Sequence, residues 1–444
     1  MSSTLAAGAG LDFTLAQQLT VIALCALTAY ISHMALAVFN DGVRPFLLDF
    51  IQGRTTRSAT TAVSFGLSAG FIFGLGAPMA LSTGVLNPWL VFLPTDILGM
   101  LAPKKWLAPI LGGAWGAVVV FGLNGANDVA HDLPVDFITA MQQMSTPILF
   151  LFTLFPVLAI TKQFGRKWGG VAGGLELALV VLTMRLWPKM FAGALAMAVG
   201  VLMLIALAVA KDMKQRKADK DAGVTAIVLD DDPMASLFSA SAARLRRHLP
   251  LFMVLGAGVC VLAQMHIFGG GEATSFLIAK GQYTEAAQVD FYRVFGFIPL
   301  IATTALASGA YGIAGFTLVY PIGYLMPNPF LAAIVGAVVF ALEVLALSSI
   351  GKVLGKLPSV RDSSEHLRSA IGDTLQLAIL FGSLMAANTM GGGLGILVVG
   401  GLYLLNDAMG RPVVRMAAAP AAVIVGGILL NVLYWLDLFT PIKG

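Results

Sequence analysis

The sequence predicts an all-α polytopic membrane protein with 12–14 transmembrane segments, built as two inverted repeats of about seven segments with broken third and tenth helices. Composition, run length and an internal repeat predict it. Of 444 residues, 58% are hydrophobic and 11% charged, with mean hydropathy +0.87. Soluble domains carry about 25% charged residues, so this chain cannot cover a water-facing surface. Its continuous apolar runs favour helices, because barrel strands alternate apolar and polar residues.

The predicted segments follow one another along nearly the whole chain. We place fourteen of them, at 17–37, 60–82, 84–102, 107–127, 146–164, 168–186, 188–211, 248–268, 293–313, 315–328, 330–354, 372–390, 391–406 and 415–436. Segments 84–102 and 315–328 contain internal prolines, which remove a backbone donor and kink a helix. Both are therefore predicted to be broken.

The basic residues predict the orientation. If every segment crosses, 22 of the 27 Lys and Arg fall on one side. The positive-inside rule makes that side cytoplasmic and puts both termini in the periplasm of a bacterial inner membrane. The net charge of +4 then reflects loops facing anionic lipid, and nucleic acid is not expected as a partner. Cys25 and Cys260 lie in apolar runs, which argues against a disulfide framework or a cysteine metal site.

An internal repeat appears when the second half of the sequence is aligned with the first. The stretch DILGMLAPKKWLAPILGG (96–113) aligns without gaps with YPIGYLMPNPFLAAIVGA (320–337), with seven identities in eighteen positions. Seven crossings per half is an odd number, so the halves would have opposite orientation, the plan of many secondary transporters. The predicted units are an N-terminal repeat (1–210), a cytoplasmic linker (211–247) and a C-terminal repeat (248–444).

Signatures of soluble enzymes are not found. The chain has no G-x-x-x-x-G-K-[ST] motif and nothing resembling H-E-x-x-H. We therefore expect no enzyme activity, no metal centre and no cofactor beyond a coupling H⁺ or Na⁺. The informative residues are polar groups at membrane depth, which are costly there and are functional candidates by default.

Asp96 is the foremost candidate, in the broken segment that also contains Thr95 and Asn87. A break frees backbone groups that can bind a solute or an ion, and Asp96 can bind H⁺ or Na⁺ beside them. Alternatively, Asp96 caps a half-helix. Glu343, on an apolar segment without a nearby basic partner, is a candidate coupling carboxylate or a neutral, hydrogen-bonded packing group. Glu176 is a weaker candidate.

The remaining candidates are hydroxyl and aromatic side chains near the second broken segment, together with one histidine. Hydroxyls there can line a solute path or bond back to their own helix. Tyrosines can form a polar wall or belong to the membrane interface, and the histidine is as readily a satisfied core residue. They are Thr303, Thr304, Ser308, Tyr311, Tyr320, Tyr324 and His33.

Several stretches resemble the YhfT family of bacterial inner-membrane proteins, over nearly the whole chain. They include LNPWLVFLPTDILG (86–99), PLIATTALASGAYGIAGFTLVY (299–320), SIGKVLGKLPSVR (349–361) and GRPVVRMAAAP (410–420). The resemblance implies a membrane transport protein and names no substrate. The seven-plus-seven plan is also similar to that of nucleobase–ascorbate and sulfate permeases, whose termini are cytoplasmic, unlike those predicted here. That likeness is an analogy of fold only.

We therefore expect a secondary transporter of a small polar or anionic solute, ion-coupled and of elevator type, with its site between 84–102 and 315–328. Its expected partners are the solute and the lipid bilayer, and a homodimer is left open. One alternative is the membrane channel of a phosphotransferase-type sugar system, which separate phosphocarriers would reveal. Another is a membrane-embedded enzyme acting on a lipid-linked substrate. The sequence names neither the solute nor the direction of transport.

Overall fold

The fold is that of a computed structural model, which describes residues 11–188, 192–221 and 233–441, apart from eight positions between 41 and 52. The described chain is almost entirely helical. Its first half contains α1 (Leu15–His33), β1 (Ala37–Val38), α2 (Arg57–Phe71), a π-helical turn (Ile72–Gly76), α3 (Ala77–Thr83), α4 (Pro88–Val91), α5 (Leu93–Leu101), α6 (Leu107–His131), α7 (Phe137–Met141), a 3₁₀ turn (Gln142–Met144), α8 (Ser145–Phe152), α9 (Phe155–Phe164), α10 (Arg166–Leu186) and α11 (Ala194–Asp221).

The second half repeats this alternation of long helices and short pieces. It contains α12 (Pro233–Arg247), α13 (Leu249–Gln264), α14 (Glu272–Ala279), α15 (Tyr283–Ser308), β2 (Tyr311–Gly312), a 3₁₀ turn (Ile313–Leu318), α16 (Val319–Leu325), α17 (Pro329–Lys356), α18 (Pro358–Ala408) and α19 (Arg415–Trp435). Each of the fourteen segments predicted from the sequence coincides with a helix, a helix pair or part of a helix.

Many of these helices have the length and composition of membrane spans. Within the described residues, eight helices qualify, or nine if the bent pair formed by α12 and α13 is one span. The chain is therefore an all-α, multi-pass membrane protein. α18 is 51 residues long and leaves helical geometry at Gly391 and Gly392, where the sequence predicts one segment to end and the next to begin. The two segments predicted to be broken form short apolar helices, Pro88–Leu101 and Gly315–Leu325.

The linker between the halves is partly helical. Helix α11 continues to Asp221, into the residues predicted as linker, whereas 222–232 lie outside the described residues. The last part of the predicted linker forms α12, whose described end is bent by 70° from α13. Such a bend is the geometry expected of a helix that lies along a membrane surface before the chain enters the bilayer.

Close helix packing around glycines joins the helices of each half. A Cβ on Gly112 of α6 would overlap the Cys25 carbonyl oxygen of α1, and one on Gly336 of α17 would lie 2.5 Å from the Gly256 carbonyl oxygen of α13. Small residues allow helix backbones to approach in a membrane, where the hydrophobic effect does not drive helices together. The abundant glycine therefore has a packing role in these helix pairs.

The helices form two groups, which also contact each other where α15 packs against α11 and α18. Helices α1–α6 pack with one another and, through α1, against α13, which packs with α16 and α17. Helices α8 and α9 pack against α18, which packs against α19. We call the first set the break group (11–131 and 249–356), because it contains both interruptions, and the second the wall group (137–221 and 358–435).

Candidate functional site

Two long helices of the break group end in a similar way before the chain turns into an extended segment. Ala35 follows α1 with φ 53°, and His266 follows α13 with φ 57°. L-residues adopt positive φ at a cost of about 1–3 kcal/mol, so the surrounding fold must hold both positions. The result is two lengths of non-helical backbone inside the protein.

Backbone pairing between the halves satisfies these extended segments. β1 pairs with β2 in parallel, with Ala37 opposite Tyr311, and a similar parallel bridge joins Leu86 to Phe268. Hydrocarbon offers no hydrogen-bond partners, so irregular backbone at membrane depth is tolerated only where protein or a water-filled cavity surrounds it. Each extended segment is thus paired with a non-helical stretch of the other half, Ala37–Val38 with Tyr311–Gly312 and Phe268 with Leu86.

A cluster of aromatic rings fills the space where the interruptions meet. The Phe92 ring lies 5.1 Å from Phe39, 5.4 Å from Phe268 and 5.2 Å from Phe316, measured between centroids. The Tyr320 ring lies 5.9 Å from that of Phe268. These side chains are buried, and the polar groups of the site lie next to them.

Asp96 holds the first interruption in place. Its Oδ1 accepts a hydrogen bond from the Ser32 hydroxyl at 2.6 Å, and its Oδ2 accepts from the Phe39 and Asn40 backbone N–H groups at 2.6 and 3.0 Å. The side chain is fully buried. Hydrogen bonds to an ionised acceptor are roughly twice as strong as neutral ones. Asp96 therefore fixes the backbone that follows β1.

Tyr324 and Asp290 play the corresponding part at the second interruption. The Gly270 N–H donates to the Tyr324 hydroxyl at 2.8 Å, and that hydroxyl donates to Asp290 Oδ2 at 2.9 Å. A Cβ on Gly270 would lie 2.6 Å from Asp290 Oδ2 and 2.5 Å from the Tyr320 ring, so only glycine fits there. An acid thus anchors each interruption, directly in one half and through a tyrosine in the other.

A cavity of about 720 Å³ lies between the break group and the wall group. Its volume is that of a small-molecule site, for which about 300–1,000 Å³ is usual. Both interruptions reach it, through Phe39 and Asn40 on one side and Gly270 and Gly271 on the other. The other polar or aromatic side chains around it are Phe71, Trp89, Glu272, Thr317, Tyr320, Glu365, Arg368, Ser369, Asp373, Gln376 and Arg415.

Glu272 and Asn40 are buried polar groups on this lining. Glu272 Oε1 accepts a hydrogen bond from the Trp89 indole N–H at 2.9 Å, and the Asn40 amide donates to the Ser68 hydroxyl at 2.9 Å. Glu272 is only 4% exposed. The Trp89 side chain lines the cavity and orients this carboxylate.

The outer part of the cavity has balanced charge. Arg368 pairs with Glu365 at 2.8 Å, and Asp373 pairs with Lys162 at 2.5 Å. Arg415 donates to Asp407 at 2.9 Å. Hydrogen bonds from Arg411 and Arg415 hold the pKa of Asp407 below its usual range. The arginines at the mouth therefore already have anionic partners.

Glu343 and Tyr311 form a separate polar pair behind β2. The Tyr311 hydroxyl donates to Glu343 Oε2, while Oε1 has no hydrogen-bond partner among the described residues. The buried Tyr311 ring packs 5.1 Å from Phe340 and 5.5 Å from Phe252. Neither residue lines the cavity, but Tyr311 belongs to the strand that pairs with β1.

The other predicted residues have mainly structural contacts. The Thr95 hydroxyl donates to the Phe92 carbonyl oxygen, Asn87 caps α4 through the Leu90 N–H, and His33 Nδ1 lies 3.0 Å from the Gly99 carbonyl oxygen. The side chains of Thr303, Thr304 and Ser308 lie outside the described part of the structure.

Sequence reasoning found Tyr320 on the cavity but missed several of its neighbours. Asn40 and Glu272 follow the two interruptions within N-D-G and G-G-G-E, which resemble ordinary loops. Within the described chain, no cluster of three or more His, Cys, Asp or Glu side chains is arranged to hold a metal ion.

Comparison with known proteins places this arrangement in a family. The family model described as "YhfT: Protein of unknown function" matches residues 17–439, a range that includes both interruptions and the cavity. The chain belongs to the YhfT family. It is 40% identical, over 437 residues, to the "Uncharacterized protein YhfT" of Escherichia coli (strain K12), an alignment that covers 96% of this chain and 99% of that protein. No solved structure matches.

Proposed function

We propose that this YhfT family member is a secondary transporter for a small polar solute across the bacterial inner membrane, rather than an enzyme. The observation that carries the proposal is the cavity of about 720 Å³, because two interrupted, cross-paired backbone segments form its wall in an otherwise helical membrane protein. Irregular backbone at membrane depth is characteristic of transporter sites, where exposed N–H and C=O groups can bind cargo.

We further propose that the two halves are inverted repeats. Close glycine contacts support this: a Cβ on Gly99 would overlap the Ala29 carbonyl oxygen, and one on Gly323 would lie 2.7 Å from the Cys260 carbonyl oxygen. The two glycines are aligned with each other by the internal repeat. The internal repeat also aligns Gly112 of α6 with Gly336 of α17, the glycines that contact α1 and α13. Equivalent helix pairs therefore meet at equivalent points in both halves.

Contacts at the centre support the same proposal. Extending the ungapped alignment of the internal repeat by four residues at its start aligns Phe92 with Phe316, and the rings of these two residues lie 5.2 Å apart. A residue that contacts its own repeat partner must lie close to the axis relating the two repeats. The cross-pairing of β1 with β2, and of Leu86 with Phe268, has the reciprocal pattern that a two-fold axis requires.

The cavity mouth supports an inward-facing state. Glu365, Arg368 and Arg415 border it, and the positive-inside rule assigns their segments to the cytoplasm. The wall group contributes these mouth residues, whereas the break group contributes the buried ones. Movement of the break group against the wall group would carry the site across the membrane, as in an elevator, with both termini in the periplasm.

The lining chemistry favours an uncharged or cationic solute over an anion. The buried end carries the carboxylate of Glu272, and the two cations among the described lining residues, Arg368 and Arg415, have acidic partners at the mouth. Trp89, Phe71 and Tyr320 offer aromatic faces that stack on rings or attract cations. Asn40 and Thr317 add hydrogen-bonding groups. The proposed solute is thus a compact polar molecule that donates hydrogen bonds.

Coupling is assigned to a proton carried by Glu343. Its Oε1 is available to a proton, and its Oε2 accepts from Tyr311, whose backbone N–H donates to Leu36 at the paired strands. Protonation there would alter the contacts of β2 and thus of the cavity wall. In vesicles with an imposed proton gradient, Glu343→Gln should abolish gradient-driven accumulation but retain exchange of solute. Persistent accumulation would exclude this role.

The experiment begins with a solute screen on the purified protein. A ligand that binds only the folded state raises Tm, so sugars, nucleosides, amines and carboxylates are compared. We expect stabilisation by an uncharged or cationic member. Glu272→Gln keeps an acceptor for Trp89 but removes the charge, and should weaken binding at least about tenfold, since hydrogen bonds to charged groups contribute about 1.5–3 kcal/mol.

The matched control is Glu285→Gln, in the first turn of α15 and outside the cavity lining. It should leave binding and uptake unchanged. Equal binding by wild type and Glu272→Gln would reject the solute site. Uptake that requires added phosphocarrier proteins would instead identify a phosphotransferase-type channel.

A further inference from the structure

One arginine of the linker contacts both halves of the break group. Arg244 lies in α12, and its two terminal nitrogens donate to different carbonyl oxygens: Nη1 to Gly309 at 3.1 Å and Nη2 to Met34 at 3.1 Å. These two residues belong to opposite halves of the chain. The guanidinium therefore joins two elements that are far apart in the sequence.

Both carbonyls belong to helix ends that lead directly into the paired strands. Met34 is the C-cap of α1, three residues before β1, and Gly309 is the C-cap of α15, two residues before β2. The last carbonyls of a helix lack intrahelical partners and carry the negative end of the helix dipole. A guanidinium, with a fixed planar fork of donors, suits two such ends at once.

Among the described residues, no equivalent contact is found on the opposite side of the break group. If the halves are inverted repeats, Met265 at the end of α13 and Gly84 at the end of α3 correspond to Met34 and Gly309, and Gly84 and Gly309 share a left-handed conformation. In the described part of the chain, no side chain donates to the carbonyl oxygen of Met265 or Gly84. The clamp is therefore confined to the side that the charges assign to the cytoplasm.

We propose that Arg244 is a positioning residue that clamps the cytoplasmic ends of α1 and α15, so that β1, β2 and the linker helix move as one body. Arg246 strengthens the attachment, since it donates to the Leu345 carbonyl oxygen of α17. The clamp ties the linker to the break group, and α11, which precedes the linker, packs against the wall-group helices α9, α10 and α18 and also against α15 of the break group. Displacing α12 would release the two strands, of which β1 leads directly into Phe39 and Asn40 on the cavity lining.

The test is hydrogen–deuterium exchange of the full chain in detergent or nanodiscs, which needs no solute. Arg244→Ala should increase exchange at least about tenfold in peptides covering 34–40 and 309–318, because it removes two hydrogen bonds from a charged donor. Arg244→Lys, which keeps the charge but not the fork, should give a smaller increase. Peptides covering 84–87 and 265–271 should be unchanged, and their protection reports that the variant is folded.

The matched control is Arg247→Ala, an exposed arginine three residues further along α12, which should leave both inner peptides at wild-type exchange. The proposal is overturned if Arg244→Ala exchanges like Arg247→Ala, or if its increase is confined to α12 itself. The inverted-repeat part of the argument rests on the proposed function. A failed solute screen with the expected exchange pattern would reject the solute site and leave the clamp standing.

Discussion

At the scale of single residues, the acids of the break group divide into two kinds. Asp96 already accepts three hydrogen bonds from the chain, whereas Glu272 reaches the cavity. A buried carboxylate that accepts hydrogen bonds from groups of its own chain is well suited to hold the backbone in place. The sequence marks Asp96 as an acid in an apolar segment but gives no such signal for Glu272, which follows three glycines. The neighbours of both residues come from distant segments of the chain, so their contacts could not be predicted.

Asp96→Asn should therefore destabilise the protein. The amide oxygen can still accept from the Phe39 and Asn40 N–H groups while the amide nitrogen donates to the Ser32 hydroxyl, but these donors lose their charged acceptor. Hydrogen bonds to charged groups contribute about 1.5–3 kcal/mol and neutral ones about 0.5–1.5 kcal/mol, so the substitution should cost about 1 kcal/mol or more. Thermal unfolding should show a clearly lower Tm. Asp132→Asn, at an exposed helix end, should stay within about 0.5 kcal/mol of wild type. Equal Tm values for the two variants would exclude the structural role of Asp96.

At the scale of elements, the apolar pattern predicts the helices well but not their interruptions. Long apolar runs must be helical in lipid, since each backbone group then bonds within its own segment. Proline marked segments 84–102 and 315–328 as broken, and Gly391–Gly392 falls at a predicted boundary. β1 and β2, by contrast, contain only two residues each. Their extended form depends on pairing across the molecule, which no local pattern encodes.

Glycine contacts between helices give a prediction at this scale. Gly112→Ala would force a Cβ into the Cys25 carbonyl oxygen, and backbone atoms cannot turn away as a flexible side chain can. Overpacking typically costs about 1–3 kcal/mol, so Tm should fall. Gly122→Ala, in the same helix with nothing within 4 Å of the added Cβ, should be neutral or stabilising because alanine favours helix. A similar loss of stability in both variants would contradict close packing as the cause.

At the scale of the whole molecule, the proposed two-fold relation makes the site a property of both halves together. Neither half alone closes its interruption, because β1 requires β2 and Leu86 requires Phe268. The internal repeat of the sequence indicated that the broken segments correspond, but similarity along a chain does not reveal contact in space. The strand pairing shows that contact. What remains to be measured is the orientation of the two halves in a bilayer.

Repeat partners in inverted halves must lie on opposite faces of the membrane. Lys104 and Asn328 are exposed loop residues that the internal repeat aligns with each other, so one cysteine at each position tests the relation directly. In a background with Cys25→Ala and Cys260→Ala, a membrane-impermeant maleimide should label Lys104→Cys only in inside-out vesicles. It should label Asn328→Cys only in intact spheroplasts. Labelling of both from one face would mean that the halves are parallel, in which case reciprocal movement around a central axis could not operate. Labelling from opposite faces would mean that the segments bordering the cavity enter the membrane from both sides. The cavity could then be reached from one side of the membrane through one half and from the other side through the other half.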